Sequence, residues 1–130
     1  MATIPEDVLD LFQKPIVCAL ATLMPSGQPQ VQPVWCEYDG KYVCINTAKG
    51  RQKDLNMSQR SKVTILLVDP SDDGRWVEVR GHVAETTEAG ALEDINRIAL
   101  KYTGVKFRAL NAGEVRVSYK IMPDKVIVGS

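Results

Sequence analysis

Residues 16–47 read IVCALATLMPSGQPQVQPVWCEYDGKYVCINT, and the way this stretch alternates between apolar runs and turns decides the fold. Ile16 to Leu23 is apolar at nearly every position, so as a strand it is covered on both faces. In a short chain that requires a closed barrel or a second subunit. Pro25 to Pro29, PSGQP, is turn chemistry. Gln30 to Tyr38 resumes as a strand, Asp39-Gly40 gives the two-residue signal of a tight hairpin, and Lys41 to Thr47 returns. The opening pattern is therefore antiparallel, with consecutive strands joined by short turns.

Moving outward, Pro5, Glu6 and Asp7 begin a short helix that buries Val8, Leu9 and Phe12 and ends at Pro15. On the far side, a short helix runs through Leu55 and Met57, followed by a strand at Val63 to Val68 and the turn PSDDG. Arg75 to Ala84 alternates most clearly, with Val77, Val79 and Val83 on one face and Glu78, Arg80 and His82 on the other. Gly81 inside that strand predicts a bulge or bend of the kind that curves a sheet. Ala91, Leu92, Ile95, Ile98, Ala99 and Tyr102 recur at three- and four-residue steps and predict an amphipathic helix from Glu88 to Tyr102. Glu114 to Val128 closes the chain as a strand with Val115, Val117, Tyr119 and Ile121 on one side. Six strands without regular βαβ alternation predict an antiparallel six-stranded barrel with peripheral helices, built as one domain over residues 1–130.

Composition limits the function. The 130 residues are 45 % hydrophobic, and sixteen Lys and Arg balance sixteen Asp and Glu. With no net charge, a general electrostatic grip on nucleic acid is not expected. The amino terminus carries acids where a signal peptide would be basic and then apolar, and the run from Ile16 to Met24 is too short to span a bilayer. A cytoplasmic protein is expected. Cys18, Cys36 and Cys44 lack CxxC spacing and lie in apolar runs, and with one histidine in the chain no metal site is expected.

Charge is gathered at one place. In INTAKGRQKDLN, residues 45–56, Lys49, Arg51 and Lys53 crowd the point where a strand gives way to a helix. A helix start offers unpaired N–H groups and partial positive charge to an anion. Thr47 can donate a hydroxyl, Arg51 can grip a phosphate in bidentate fashion, and Gly50 lets the backbone approach a ligand. The same residues are also compatible with a solvated helix start whose cations pair with Asp54 and water. The GxxxxGK[ST] pattern of a P-loop is absent. Arg51 and Lys53 stand about 200° apart on a regular helix, so they converge only if the first turn is irregular or the ligand wraps the helix end.

The order of ATLMPSGQP, VQPVW, the DG hairpin, NTAKGRQK with Asn56 downstream, VTILLVDP and WVEVRGHV resembles the pyridoxamine 5′-phosphate oxidase-like split-barrel superfamily over most of the chain. The likeness is greatest to its branch of F420-dependent enzymes. The resemblance implies a six-stranded split β-barrel, a homodimer, and a flavin or deazaflavin in each of two clefts between subunits. It also implies that Thr47, Lys49, Arg51, Lys53 and Asn56 hold the phosphate-bearing tail, and that Met24, Pro25, Gln30, Val31, Gln32 and Pro33 lie along the ring. Val34 adds to the apolar wall, and Gln30 and Gln32 offer hydrogen bonds to the ring edge. Trp35 and Trp76 each invite a stacking role, or else are core or interface aromatics, and Trp76, beside Glu78 on its strand, is a candidate for the ring end of the cleft. His82 is either a surface histidine or a proton donor.

The expected activity is hydride transfer from reduced F420 to a small conjugated acceptor. FMN is the alternative cofactor, and non-catalytic binding of a flavin, haem or tetrapyrrole the alternative role. No side chain is singled out as catalytic, since the cofactor carries the redox chemistry.

Overall fold

A computed structural model describes residues 1–129. Seven strands form one antiparallel sheet: β1 (Cys18–Leu23), β2 (Pro29–Val34), β3 (Glu37–Tyr38), β4 (Val43–Ala48), β5 (Lys62–Asp69), β6 (Asp72–Thr87) and β7 (Arg116–Gly129). Their order across the sheet is β2-β1-β5-β6-β7-β4-β3. The helices are α1 (Leu9–Gln13), entered through a 3-10 turn at Glu6–Val8, α2 (Gln52–Gln59) and α3 (Ala91–Thr103). The sheet curls into a half-barrel around Leu20, Ile45, Ile65, Val77, Val79 and Tyr119, all nearly inaccessible to solvent.

Curvature is concentrated in the two long strands. The β6–β7 register shifts between Arg80 and Gly81 and again between Val83 and Glu85. Gly81 is required at the first shift, because a Cβ there would run into the carbonyl oxygen of Met122 and lie 2.9 Å from Ile121 Cγ2. The bulge expected at Gly81 is present.

The strand count differs from the six expected. The run from Gln30 to Tyr38 breaks at Trp35 and Cys36, leaving β3 as a two-residue strand paired with β4. The cause is lateral. Cys36 N–H donates to the Tyr102 hydroxyl at 3.2 Å, and Cys36 C=O accepts from Lys101 Nζ at 2.6 Å. With both backbone groups taken by α3 side chains, Cys36 has none left for a ladder. α3 itself begins at Ala91, because Gly90 precedes it in a left-handed conformation, φ 78°. β7 begins at Arg116, and Val115 before it is exposed.

β1 buries one face, through Cys18, Leu20 and Thr22, while Ala19 and Ala21 on the other are half-buried. Pro33 and Leu66 lie in register beside Ala19, and Val31 beside Ala21. Val17 is 56 % and Val31 63 % exposed. The outer side of β1, β2 and β5 is thus an apolar surface left uncovered by this chain.

Candidate functional site

β4 delivers the site. All six of its residues are buried, and it ends at Asn46, Thr47 and Ala48. Gly50 then turns the chain at φ 95°, a conformation that favours glycine. Arg51, extended at φ −67° and ψ 156°, caps α2 without a side-chain hydrogen bond of its own to the helix. Asp54 Oδ2 accepts the Gly50 N–H at 2.8 Å, and its Oδ1 accepts the Tyr119 hydroxyl at 2.5 Å. The acid in this basic stretch is therefore hydrogen-bonded to backbone and tyrosine and, among the described residues, forms no salt bridge with the cations.

A cleft of about 400 Å³ opens over this junction. Thr47, Arg51, Lys53 and Arg116 form its polar side, and Val34, Trp35, Ile95 and Phe107 its apolar side. Thr47 is 1 % exposed, and its Oγ1 is the one sealed side-chain polar atom among the described residues without a hydrogen-bond partner. A buried hydroxyl without a partner costs stability. Lys53 Nζ donates to Gln32 Oε1 at 3.1 Å. Burial pushes the Lys53 ammonium below its usual range, and Arg51 and Arg116 push in the same direction. Burial likewise lowers Arg116, opposed by Glu114 and reinforced by Arg51 and Arg108. Arg51, Lys53 and Arg116 thus put three cations on one side of the cleft, an arrangement that can hold an anion.

The residues expected to form one site divide into groups. Pro33, Thr47, Arg51 and Lys53 line the cleft. Val31, Gln32 and Pro33 line an adjoining groove of about 340 Å³ with Val17, Cys18 and Ala19. Asn56 lies beneath, fully buried. Its Nδ2 donates to Thr22 Oγ1 at 2.9 Å and Gln30 Oε1 at 3.2 Å, and contacts Met24 Sδ at 3.5 Å. Asn56 thereby ties α2 to the ends of β1 and β2, and joins Met24 and Gln30 to the basic junction from below. Pro25 is exposed in the turn between those strands.

Two residues stand apart. Lys49 Nζ pairs with Glu88 Oε2 at 2.8 Å on the exposed surface and does not line the cleft. Trp76 lies on the outer side of the sheet, in register with Val68 and Gly129, and lines neither hollow. His82 is also outside, with Nδ1 2.9 Å from Asp124 Oδ2.

Arg116, Asn46 and Phe107 line the cleft without being singled out by the sequence reading, whereas Trp35 is one of the two tryptophans that reading picks out. Arg116 and Asn46 lie on neighbouring strands and contact each other, Nε to Oδ1 at 2.9 Å. Trp35 is stacked on Tyr102, ring centres 5.1 Å apart at 14°. Phe107 is held in the loop after α3 by Asn96 Oδ1, which accepts its N–H at 3.1 Å. The break between β2 and β3 places Trp35, a stacking candidate from its sequence, in the cleft lining.

A family model described as pyridoxamine 5′-phosphate oxidase matches residues 4–128. Among solved structures, an F420 reductase superposes with a TM-score of 0.86 at 27 % identity, covering 95 % of this chain and 98 % of that one. A conserved hypothetical protein from Mycobacterium tuberculosis gives 0.75 at 23 % identity, covering 98 % and 85 %. HupZ from Group A Streptococcus gives 0.71 at 22 % identity, covering 96 % and 93 %. No curated protein matches significantly. The chain belongs to the pyridoxamine 5′-phosphate oxidase family and has its split-barrel fold.

Proposed function

We infer that the protein is an oxidoreductase that binds the deazaflavin F420 and transfers hydride from its reduced form to a small conjugated acceptor. The observation that carries this reading is the sealed, unpartnered Thr47 hydroxyl beside Arg51 and Lys53, in a cleft whose other wall is apolar. Such a site suits a ligand that is anionic at one end and flat and apolar elsewhere. The likeness to an F420 reductase supports the deazaflavin over FMN.

Thr47, Arg51 and Lys53 would hold the phosphate-bearing tail, with Asn56 bracing the junction from beneath through Thr22 and Gln30 and Lys49 engaged with Glu88 outside the cleft. Gln32 orients Lys53 through their hydrogen bond. Met24, Pro25, Gln30, Val31 and Pro33 would form the platform for the ring, and Trp76, on the outer side of the sheet, would lie at the dimer cleft. When bound, reduced F420 provides the hydride, so the chain need provide no nucleophile of its own. Its residues contribute by anchoring the tail, fixing the ring against an apolar wall and leaving one ring face open to the acceptor.

The reading includes a homodimer of single-domain, cytoplasmic chains. The exposed apolar surface around Val17, Val31 and Leu66 supports it, because a contiguous apolar sheet face needs cover. Absorbance of the purified protein, with titrations of F420 and FMN, tests the assignment. Saturable F420 binding and turnover of an acceptor panel with reduced F420 are expected. Binding of FMN alone would move the protein to the FMN-dependent reading, and binding without turnover to that of a carrier.

A further inference from the structure

The cleft contains a cation that the basic junction does not supply. Arg116 opens β7, and its side chain is 5 % exposed. Nε donates to Asn46 Oδ1 at 2.9 Å and Nη1 to Glu114 Oε2 at 2.9 Å. Nη2 has no protein acceptor among the described residues and is not sealed from solvent, and Arg116 lines the cleft.

The guanidinium is held in place from behind. Asn46 Nδ2 donates to Ala91 C=O at 2.8 Å and Ser118 Oγ at 3.0 Å, and Ser118 Oγ donates to Asp94 Oδ2 at 2.8 Å. The Phe107 ring centre lies 4.8 Å from the guanidinium carbon. This packing fixes orientation before any ligand arrives, which lowers the entropic cost of binding.

The charge on Arg116 is incompletely balanced. Glu114, its one carboxylate partner, also accepts both ends of the Arg108 guanidinium, at 2.7 and 3.1 Å, and the Asn111 N–H at 2.9 Å. One carboxylate is thus shared by two guanidiniums, while Arg51 has no side-chain acceptor among the described residues and Lys53 has only the neutral Gln32. A buried charge is costly unless it is paired.

We propose that Arg116 is a third anion-binding residue of this cleft, and that with Arg51 and Lys53 it makes the site select a dianion, or two adjoining anionic groups, over a singly charged or neutral ligand. This rests on the reading of the cleft as the cofactor's tail site. A phosphate monoester near neutral pH satisfies the requirement, since its second ionisation falls at about 6. A phosphodiester followed by a carboxylate satisfies it equally.

The test separates the anion from the cofactor. Thermal shifts of the wild-type protein, Arg116→Gln and Arg116→Lys are measured with pyrophosphate, phosphate and nitrate at constant ionic strength. The same proteins are titrated with F420 at pH 7.5 and with FMN and riboflavin at pH 7.5 and 5. Pyrophosphate and phosphate should stabilise the wild type, and nitrate should not. Arg116→Gln should lose that stabilisation and bind FMN about 10- to 100-fold more weakly, the usual range for one charge-assisted hydrogen bond, with riboflavin binding unchanged. Arg116→Lys should restore part of the phosphate response. The preference of the wild type for FMN over riboflavin should fall at pH 5, where the monoester is mostly a monoanion.

Equal pyrophosphate responses in wild type and Arg116→Gln, or equal losses for FMN and riboflavin, overturn the inference. No wild-type response to either phosphate also overturns it. A phosphate response that depends on Arg116, without binding of FMN or F420, overturns the cofactor reading and leaves the anion site standing.

Discussion

Replacing Thr47 with valine exchanges a sealed hydroxyl for a methyl group of nearly the same size. In most buried positions this costs stability, because the hydroxyl has a partner that is left unsatisfied. Here the hydroxyl itself is without one. A buried polar group without a hydrogen bond costs about 1–3 kcal/mol, and Thr47→Val removes that cost with little change of volume. The ligand-free variant is therefore expected to be more stable than the wild type by about 1–3 kcal/mol. For a chain of this length each 1 kcal/mol moves the melting temperature by roughly 3–5 °C. In the liganded state the sign reverses. A hydroxyl donating to a charged oxygen contributes about 1.5–3 kcal/mol, so affinity for a phosphate-bearing ligand should fall by about one to two orders of magnitude. Urea denaturation followed by circular dichroism at fixed protein concentration reads the first effect, and fluorescence titration with FMN or F420 the second. Opposite signs for stability and affinity identify a hydroxyl kept for a ligand. A destabilised Thr47→Val, or one that binds as tightly as the wild type, would refute the reasoning.

Other outcomes follow from the same geometry. Arg51→Ala combined with Lys53→Ala should abolish cofactor retention while leaving the far-ultraviolet dichroism intact; retained affinity would count against the tail site. Gly81→Ala places a methyl group against the Met122 carbonyl and Ile121 and should destabilise the fold by roughly 1–3 kcal/mol, the usual cost of overpacking, read as a lower denaturation midpoint. Arg108, then the Asn111 N–H and Arg116, hold Glu114 down to about 2, below the ordinary 4.5. Its contribution is complete above pH 4.5 and is lost as pH falls from there toward 2. Glu114→Gln should flatten the stability profile across that window. Burial, reinforced by Asp94 and Glu37, pushes the Cys44 thiol up to about 12, so it should resist iodoacetamide at pH 8 in the native protein and react after denaturation.

The parts of this molecule visible in its sequence are those governed by local periodicity. Val77, Val79 and the bulge at Gly81 could be read because β6 has one buried and one solvated face over most of its length. The hairpin at Asp39-Gly40 and the basic turn at Gly50 could be read because each needs particular residue types. β7 misleads, because Arg116 and Ser118 look like a solvated face. In the folded chain that face is covered by α3, and both side chains are buried in a polar network. The third cation was hidden for that reason. Lys49 could not be separated from its neighbours, because its partner Glu88 is 39 positions away. Asn56 looks like an exposed helical amide, and only the approach of Thr22 and Gln30 across the strand ends makes it a buried clasp. The split between β2 and β3 depends on Lys101 and Tyr102 reaching across from α3 to the backbone of Cys36, a pairing between segments more than sixty residues apart.

The most direct measurement is isothermal titration of the purified protein with F420 and with FMN, paired with the same titrations of the Arg51→Ala, Lys53→Ala variant. Saturable binding of F420 by the wild type, one per chain, and its loss in the variant are predicted. Absence of binding for both cofactors, or binding that survives removal of both cations, would contradict the assignment of this cleft.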